Sequence, residues 1–435
     1  MQDFLGSILT GQLLVSVVVI LVVLHINLLG VAYLILLERK LSAWIQDRVG
    51  PNRCGKWGLL QPIADGVKLL LKEEYKPKGA DLILFSVAPM LIIIPALIGW
   101  VVIPWGGELV MPTFTVPLIG TIQGGTALVA GANVNIGVIF LLATASLGVY
   151  GVTLGGWASN NKYSLLGGLR ATAGMISYEI PLGASILAVL LLSGAVNPQR
   201  LIEQQVAGGW YVLAQPVAAL LFFVCILAEA NRVPFDNPEC EQELIGGYHT
   251  EYSSMRFGIF LLAEYAHLIT SSAFLALLFF GGYHLPFIGW TSPAAVGLGP
   301  ALVKTVVFFS KALLIISFMM LVRWTLPRIR WDQVLKLAWN ALIPLSILIV
   351  VLTAVMVFME WTAWPPMLAM NAVVVAIVLA IQPILPRSME KNHRIPLAGS
   401  RFSPLPDEEV GMPTVSSGSG SLSQAARHDR RLVEV

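Results

Sequence analysis

Charge is scarce in this sequence. Only 12% of its 435 residues are Asp, Glu, Lys or Arg, against a mean hydropathy of +0.77, whereas soluble domains carry about a quarter charged residues. That deficit excludes an ordinary soluble domain and leaves a polytopic membrane protein. Cysteine is scarce too. Cys54, Cys225 and Cys240 stand apart with no C-x-x-C spacing, which argues neither for a disulfide framework nor for an iron–sulfur or zinc site. The chain also lacks a phosphate-binding Walker loop, a G-x-G-x-x-G turn, an H-E-x-x-H pair and a C-x-x-C-H haem site, so any redox chemistry needs a partner's cofactors. A net charge of +2, concentrated in a few loops, gives no argument for nucleic acid. No basic leader precedes the first apolar run, where Asp3 is the only charge.

What the sequence has in abundance is apolar runs of membrane-spanning length. They fall at about 13–37, 82–105, 134–157, 173–194, 211–230, 257–283, 300–324, 340–362 and 367–386, each near the ~20 residues that cross a bilayer core. The expected fold is an all-α bundle of about nine spans: a core over residues 1–362, an additional transmembrane helix over 363–390 and a tail over 391–435. The tail is Ser/Gly/Pro-rich from Ser400 and cannot offset its ordering entropy by burial, so disorder is expected there. Alternate loops hold 24 of the 27 basic residues, which places those loops and the C-terminus in the cytoplasm and the N-terminus outside. The opposite loops, 104–133 and 284–300, are Gly/Pro-rich with few charges and read as short structured covers.

Three stretches combine carboxylates with apolar surroundings. In the first basic loop, Ile63, Val67, Leu70 and Leu71 recur at helical spacing opposite Asp65, Lys68 and Lys72, so 62–74 reads as an amphipathic helix lying in the interface. Glu179 lies nine residues past Arg170, about 13 Å into the fourth span, with Pro181 expected to kink the helix beside it. Glu264 lies about 12 Å into the sixth span with His267 on the same face, and Glu229 closes the fifth. Glutamates on three helices, all entered from one side, fit a proton relay, because burial brings their protonated and ionised forms closer in energy. Lys311 is a candidate counter-ion in the seventh span, and a purely structural Glu–Lys pair is the plainer alternative.

Between the fifth and sixth spans runs AEANRVPFDNPECEQELIGGYHTEYSSMRFGIFLLAEY, residues 228–265. Glu239, Glu241 and Glu243 point one way if the chain is extended there and spread around it if helical. Phe235, Leu244, Ile245, Tyr248 and Tyr252 are interleaved with the acids, which favours a surface covered by a partner over a merely solvated loop. A stand-alone ion transporter would use intramembrane carboxylates as well, but has no need of this interleaving.

Four blocks carry a family resemblance: ERK through LLQPIADGVKLLLKE from residue 38, LRATAGMISYE, the 228–265 stretch, and RWTLPRIRWDQ at 323–333. With the span pattern they make the chain similar, up to about residue 362, to the quinone-site membrane subunit of proton-pumping NADH:quinone oxidoreductase, respiratory complex I. The resemblance implies a quinone tunnel lined or braced by Arg39, Arg48, Asp65, Arg232, Phe235 and Asp236. It further implies a proton path through Glu179, Glu229, Glu239, Glu241, Glu243, Glu251 and Glu264. Quinone, ubiquinone or menaquinone, would be the substrate, with no cofactor in this chain. NAD, FMN and iron–sulfur clusters would sit on soluble partner subunits, and small and antiporter-like membrane subunits would lie alongside in a bacterial inner membrane. Related subunits of membrane-bound hydrogenases and of ferredoxin- or F420-linked complexes share such an acidic path. The chain departs from the family pattern at Gly174, where Gln is usual, and at Asn237-Pro238, where a leucine usually follows the Phe-Asp pair.

Overall fold

A computed structural model describes residues 11–116, 120–122, 124–237 and 240–381, with side chains at all of these except 114–116, 120–122 and 241–242. Residues up to Leu379 form one compact unit, and a second unit covers 380–435. Of the sequence expectations, Glu239 and the C-terminal tail lie outside the described residues.

The first unit is a helix bundle. Among the described residues, eight helical segments are long and apolar enough to cross a bilayer: Gly11–Ile45, Leu82–Val102, Gly137–Ala158, Lys162–Ser193, Ser254–Phe279, Leu298–Thr325, Trp331–Phe358 and Trp364–Ile381. In chain order the helices are α1 (Gly11–Ile45), α2 (Gln61–Leu71), α3 (Leu82–Gly99), α4 (Gly137–Ser146) and α5 (Gly148–Ala158). They continue with α6 (Lys162–Ser193), α7 (Pro198–Gly208), α8 (Tyr211–Ala214), α9 (Pro216–Glu229) and α10 (Glu241–Leu244). The last are α11 (Ser254–Phe279), α12 (Leu298–Thr325), α13 (Trp331–Leu337), α14 (Ile343–Phe358) and α15 (Trp364–Ile381). A π turn at Ala338–Leu342 joins α13 to α14.

Local chemistry sets the helix ends. Asp81 accepts from the amides of Ile83 and Leu84 to start α3, Asn161 caps α6, and Asn197 with Pro198 at the first position starts α7. Gly194 at φ +63° ends α6 in the left-handed region that suits glycine. The expected fifth span over 211–230 is instead broken: α8 and the 14-residue α9 meet at Gln215, because Pro216 has no N–H to continue the ladder. Pro181, by contrast, lies inside α6, which continues past it to Ser193.

Helix α11 is the hub, buried on all sides from Leu268 to Phe279 and packed against α1, α2, α3, α9 and α12. That half of the helix carries no ionisable residue, as burial on all sides requires, while Arg256, Glu264 and His267 lie before it. Of the covers expected at 104–133, the described part pairs Glu108–Met111 (β1) with Gly125–Leu128 (β4) and Phe114–Val116 (β2) with Gly120–Ile122 (β3), both antiparallel. The Gln12 side chain fastens α1 to this cover by donating to the carbonyl of Leu128 and accepting from its amide.

The amphipathic segment forms as α2 and has no buried residue, and Leu70 and Leu71 are exposed. Its end is tied to α11, where the Ser254 hydroxyl donates to the Leu69 carbonyl at 2.9 Å.

Candidate functional site

A cavity of about 970 Å³ opens where α1 ends, walled by residues 48–54, α2, the first turns of α11 and the end of α12. It lies at the upper end of the ~300–1,000 Å³ range of ligand pockets. Arg39, Arg48 and Asp65 line it, together with Glu38, Tyr265 and Arg323. Arg39 Nη1 pairs with Asp65 Oδ2 at 2.7 Å, and Gln61 steadies the other carboxylate oxygen at 3.1 Å. The wall at 48–58 folds back tightly: Gly58 has φ +78°, and a Cβ there would lie 2.2 Å from the Pro51 carbonyl, so only glycine fits. Lys40 holds this wall by donating to the Trp57 carbonyl at 2.6 Å. An apolar side pocket of about 150 Å³ between α1, α2 and α11 shares Arg39, Asp65 and Leu69 with the main cavity.

Behind the cavity sits a buried charge cluster centred on Glu38, which is 7% exposed. Its carboxylate accepts from Arg232 Nη1 at 3.1 Å, from the Tyr265 hydroxyl at 2.7 Å and from Arg323 Nη1. The Arg232 guanidinium lies over the Tyr265 ring at 4.3 Å, and its Nε is 3.0 Å from Glu264 Oε1, an ion-pair contact lying off the N–H direction. Burial opposes the charge on Arg232, but Glu264, Tyr265 and Glu38 outweigh it and raise its pKa above the ordinary arginine value.

Two small cavities continue from the cluster. One, of about 80 Å³, touches Glu38, Arg232, Asp236, Glu264 and Arg323. The next, of about 40 Å³, touches Asn231, Glu264, His267 and Glu229. Each has room for water and polar partners for it. Glu38 and Arg323 belong to both the first cavity and the second, and Asn231 and Glu264 to both the second and the third. His267 Nε2 lies 3.3 Å from Glu229 Oε1, so the two residues expected on different spans meet across α9 and α11. Glu179 is half-buried on α6 and lines none of these three cavities.

The remaining acids lie on the stretch that follows α9. Phe235 is buried with its ring 5.2 Å from Tyr178, and Asp236 Oδ2 pairs with Arg328 Nη2 at 2.6 Å. Burial opposes the Arg328 charge, but Asp236 and Cys240 outweigh it and raise that pKa too. Glu241 opens α10. Glu243 pairs with Arg170 at 2.8 Å, and Glu251 accepts from Asn161 Nδ2 at 2.6 Å, both away from the three cavities. The stretch can lie this close to α6 because Gly167 faces Gly247, where a Cβ would come within 2.6 Å of the other's Cα.

One expectation is corrected. Lys311 is no counter-ion to the glutamates; its ammonium donates to the carbonyls of Phe280, Gly282 and His284 at 2.6, 2.9 and 2.6 Å. It thereby caps the chain leaving α11, whose last carbonyls have no helical partner. Sequence reasoning missed Glu38, Tyr265, Arg323 and Arg328 as site residues. Glu38 did carry a signal, a carboxylate closing a 25-residue apolar run. Among the described residues, no group of three or more His, Cys, Asp or Glu could hold a metal ion.

Fold and site together define a multi-pass membrane protein whose ionisable side chains gather at a cavity and along the small pockets behind it. The chain belongs to the NADH dehydrogenase family, whose model matches residues 17–354. It is 44% identical over 344 residues to an NADH-quinone oxidoreductase H-type subunit of Cytophaga hutchinsonii, covering 78% of this chain and 96% of the relative. It is 45% identical over 341 residues to the corresponding H-type subunit of Flavobacterium johnsoniae, covering 78% and 94%. Against an NADH-quinone oxidoreductase H-type subunit of Geobacter metallireducens the identity is 44% over 340 residues, again covering 78% and 94%.

Proposed function

We propose that this chain is a membrane subunit of a proton-translocating NADH–quinone oxidoreductase, lying in a bacterial inner membrane with its N-terminus outside and its C-terminus in the cytoplasm. The names of its relatives support the assembly, and the distribution of lysine and arginine supports the orientation. Soluble subunits bring NAD, FMN and iron–sulfur clusters and close the cavity over a quinone, ubiquinone or menaquinone. Small and antiporter-like membrane subunits receive the output.

The observation that carries this reading is that the three cavities share walls, Glu38 and Arg323 between the first two and Asn231 and Glu264 between the last two, so that charged side chains follow one another from Arg39 and Asp65 to Glu229 and His267. Reduction of a quinone to a quinol takes two electrons and two protons. The electrons come from the partner's cluster, and uptake of the protons changes the charge in the cavity. Arg232 touches both Glu38 and Glu264, so a change of charge beside Glu38 alters how strongly it holds Glu264. Glu264 shares a pocket with the Glu229–His267 pair; Glu179, Glu239, Glu241, Glu243 and Glu251 extend the path. Arg48, Phe235 and Asp236 hold the walls that keep the headgroup near this cluster.

A photoreactive short-tailed quinone analogue, applied to the assembled complex, tests the site. Labelling should fall on residues 38–54, on α2 and on the first turns of α11, and excess quinone should suppress it. Suppressible labelling confined to other parts of the chain would rule the cavity out.

A further inference from the structure

Beyond Arg323, which lines the cavity, the block RWTLPRIRWDQ crosses the acidic stretch and is fastened to it repeatedly. Arg328 forks between Asp236 Oδ2 at 2.6 Å and Cys240 Sγ at 3.0 Å. The amide of Ile329 donates to the Pro234 carbonyl at 3.2 Å. Trp331 Nε1 donates to the Arg170 carbonyl at 3.3 Å, and Arg170 reaches Glu243. Asp236 in turn forms part of the wall of the ~80 Å³ pocket that also touches Glu38 and Glu264.

We propose that Arg328 is a positioning residue, whose fork to Asp236 and Cys240 holds the acidic stretch in register and presents Asp236 to the pocket behind the quinone cavity. Its effect on turnover rests on the quinone-site reading of Asp236; the clamp itself does not. The guanidinium suits the role because its planar fork offers parallel N–H groups to two acceptors, which an ammonium cannot do with the same geometry. With the fork in place, Cys240 is 4% exposed.

The test uses the assembled complex in a Cys54→Ser background. The first readout is the rate at which N-ethylmaleimide alkylates Cys240. Arg328→Gln should raise it about tenfold, the factor given by 1.4 kcal/mol of local opening. The second readout is quinone kinetics in Arg328→Gln, Asp236→Asn and the double variant. The expected result is a raised quinone KM with a smaller change in kcat, a double variant no worse than Asp236→Asn alone, and a KM still raised in Arg328→Lys, which keeps the charge but not the fork. Unchanged alkylation in Arg328→Gln, or losses that add in the double variant, would overturn the proposal. Raised alkylation with wild-type kinetics in all variants would keep the clamp and instead remove Asp236 from the quinone site.

Discussion

Arg232 Nη1 lies 3.1 Å from Glu38 Oε2, although the two residues are 194 positions apart. This contact joins the end of the first helix to the segment leaving α9, and it brings the ~970 Å³ cavity and the glutamate pockets into one cluster. Arg232 is the shared cation, so its loss leaves Glu264 and Glu38 facing each other across a buried space. Removing one member of a buried pair costs about 3–5 kcal/mol; because Glu38 keeps Arg323 and Tyr265, the lower end of that range applies. Arg232→Met should lower the thermal midpoint of the purified complex clearly, and Arg232→Lys should do so less. An unchanged midpoint in Arg232→Met would show that the cluster is not held by this residue.

Lys311 leads to a contrasting expectation. Its three carbonyl partners lie on one turn after α11, so Lys311→Met removes a cap and leaves the end of α11 and its exit unpaired. The loss should be about 2–3 kcal/mol of stability, read as faster hydrogen exchange at residues 276–284. The ratio of protons moved to electrons transferred should remain as in the unaltered complex. A changed ratio at wild-type exchange rates would return Lys311 to the role of counter-ion to the glutamates.

The broken fifth run makes a further demand on the bundle. Where α8 ends, Asn371 on α15 donates to the Ala214 carbonyl at 3.1 Å, while Gln215 reaches Thr353 on α14 at 3.2 Å. Carbonyls freed by a break at membrane depth need such partners. Asn371→Ala should therefore cost about 1 kcal/mol, the scale of interhelical hydrogen bonds in membranes, and raise hydrogen exchange over residues 211–219. Unchanged exchange there would show that the ninth run does not support the break.

Most of the bundle could be read in the sequence because long apolar runs have few alternatives to spanning a membrane. The interfacial helix was expected at 62–74 and runs Gln61–Leu71; its periodicity gave its place, and Lys72 already has extended geometry. Helical spacing put His267 on the face of Glu264, but the meeting of His267 with Glu229 was not legible, because Glu229 ends α9 while His267 lies in the middle of α11. The partners of Glu38 were not legible, because Arg232, Tyr265 and Arg323 stand 194, 227 and 285 residues away and only the packing of α1, α11 and α12 brings them together. The break at Gln215 had its sign in Pro216, but hydropathy smoothed over it. The short hairpins within 104–133 had no apolar alternation long enough to mark strands. Lys311 was misread because carbonyls at a helix end, which are its real partners, leave no trace in side-chain identity.

The central claim is that proton movement passes along the pocket that joins the Glu38–Arg232 cluster to Glu229 and His267, and Glu264 is the carboxylate that belongs to both sides of it. The direct measurement is proton uptake per electron by the complex reconstituted in vesicles, comparing the unaltered protein with Glu264→Gln at equal complex content. The account predicts an assembled complex whose quinone reduction is slowed and whose proton movement falls further than its electron transfer. Undiminished pumping by Glu264→Gln at the normal ratio would contradict it.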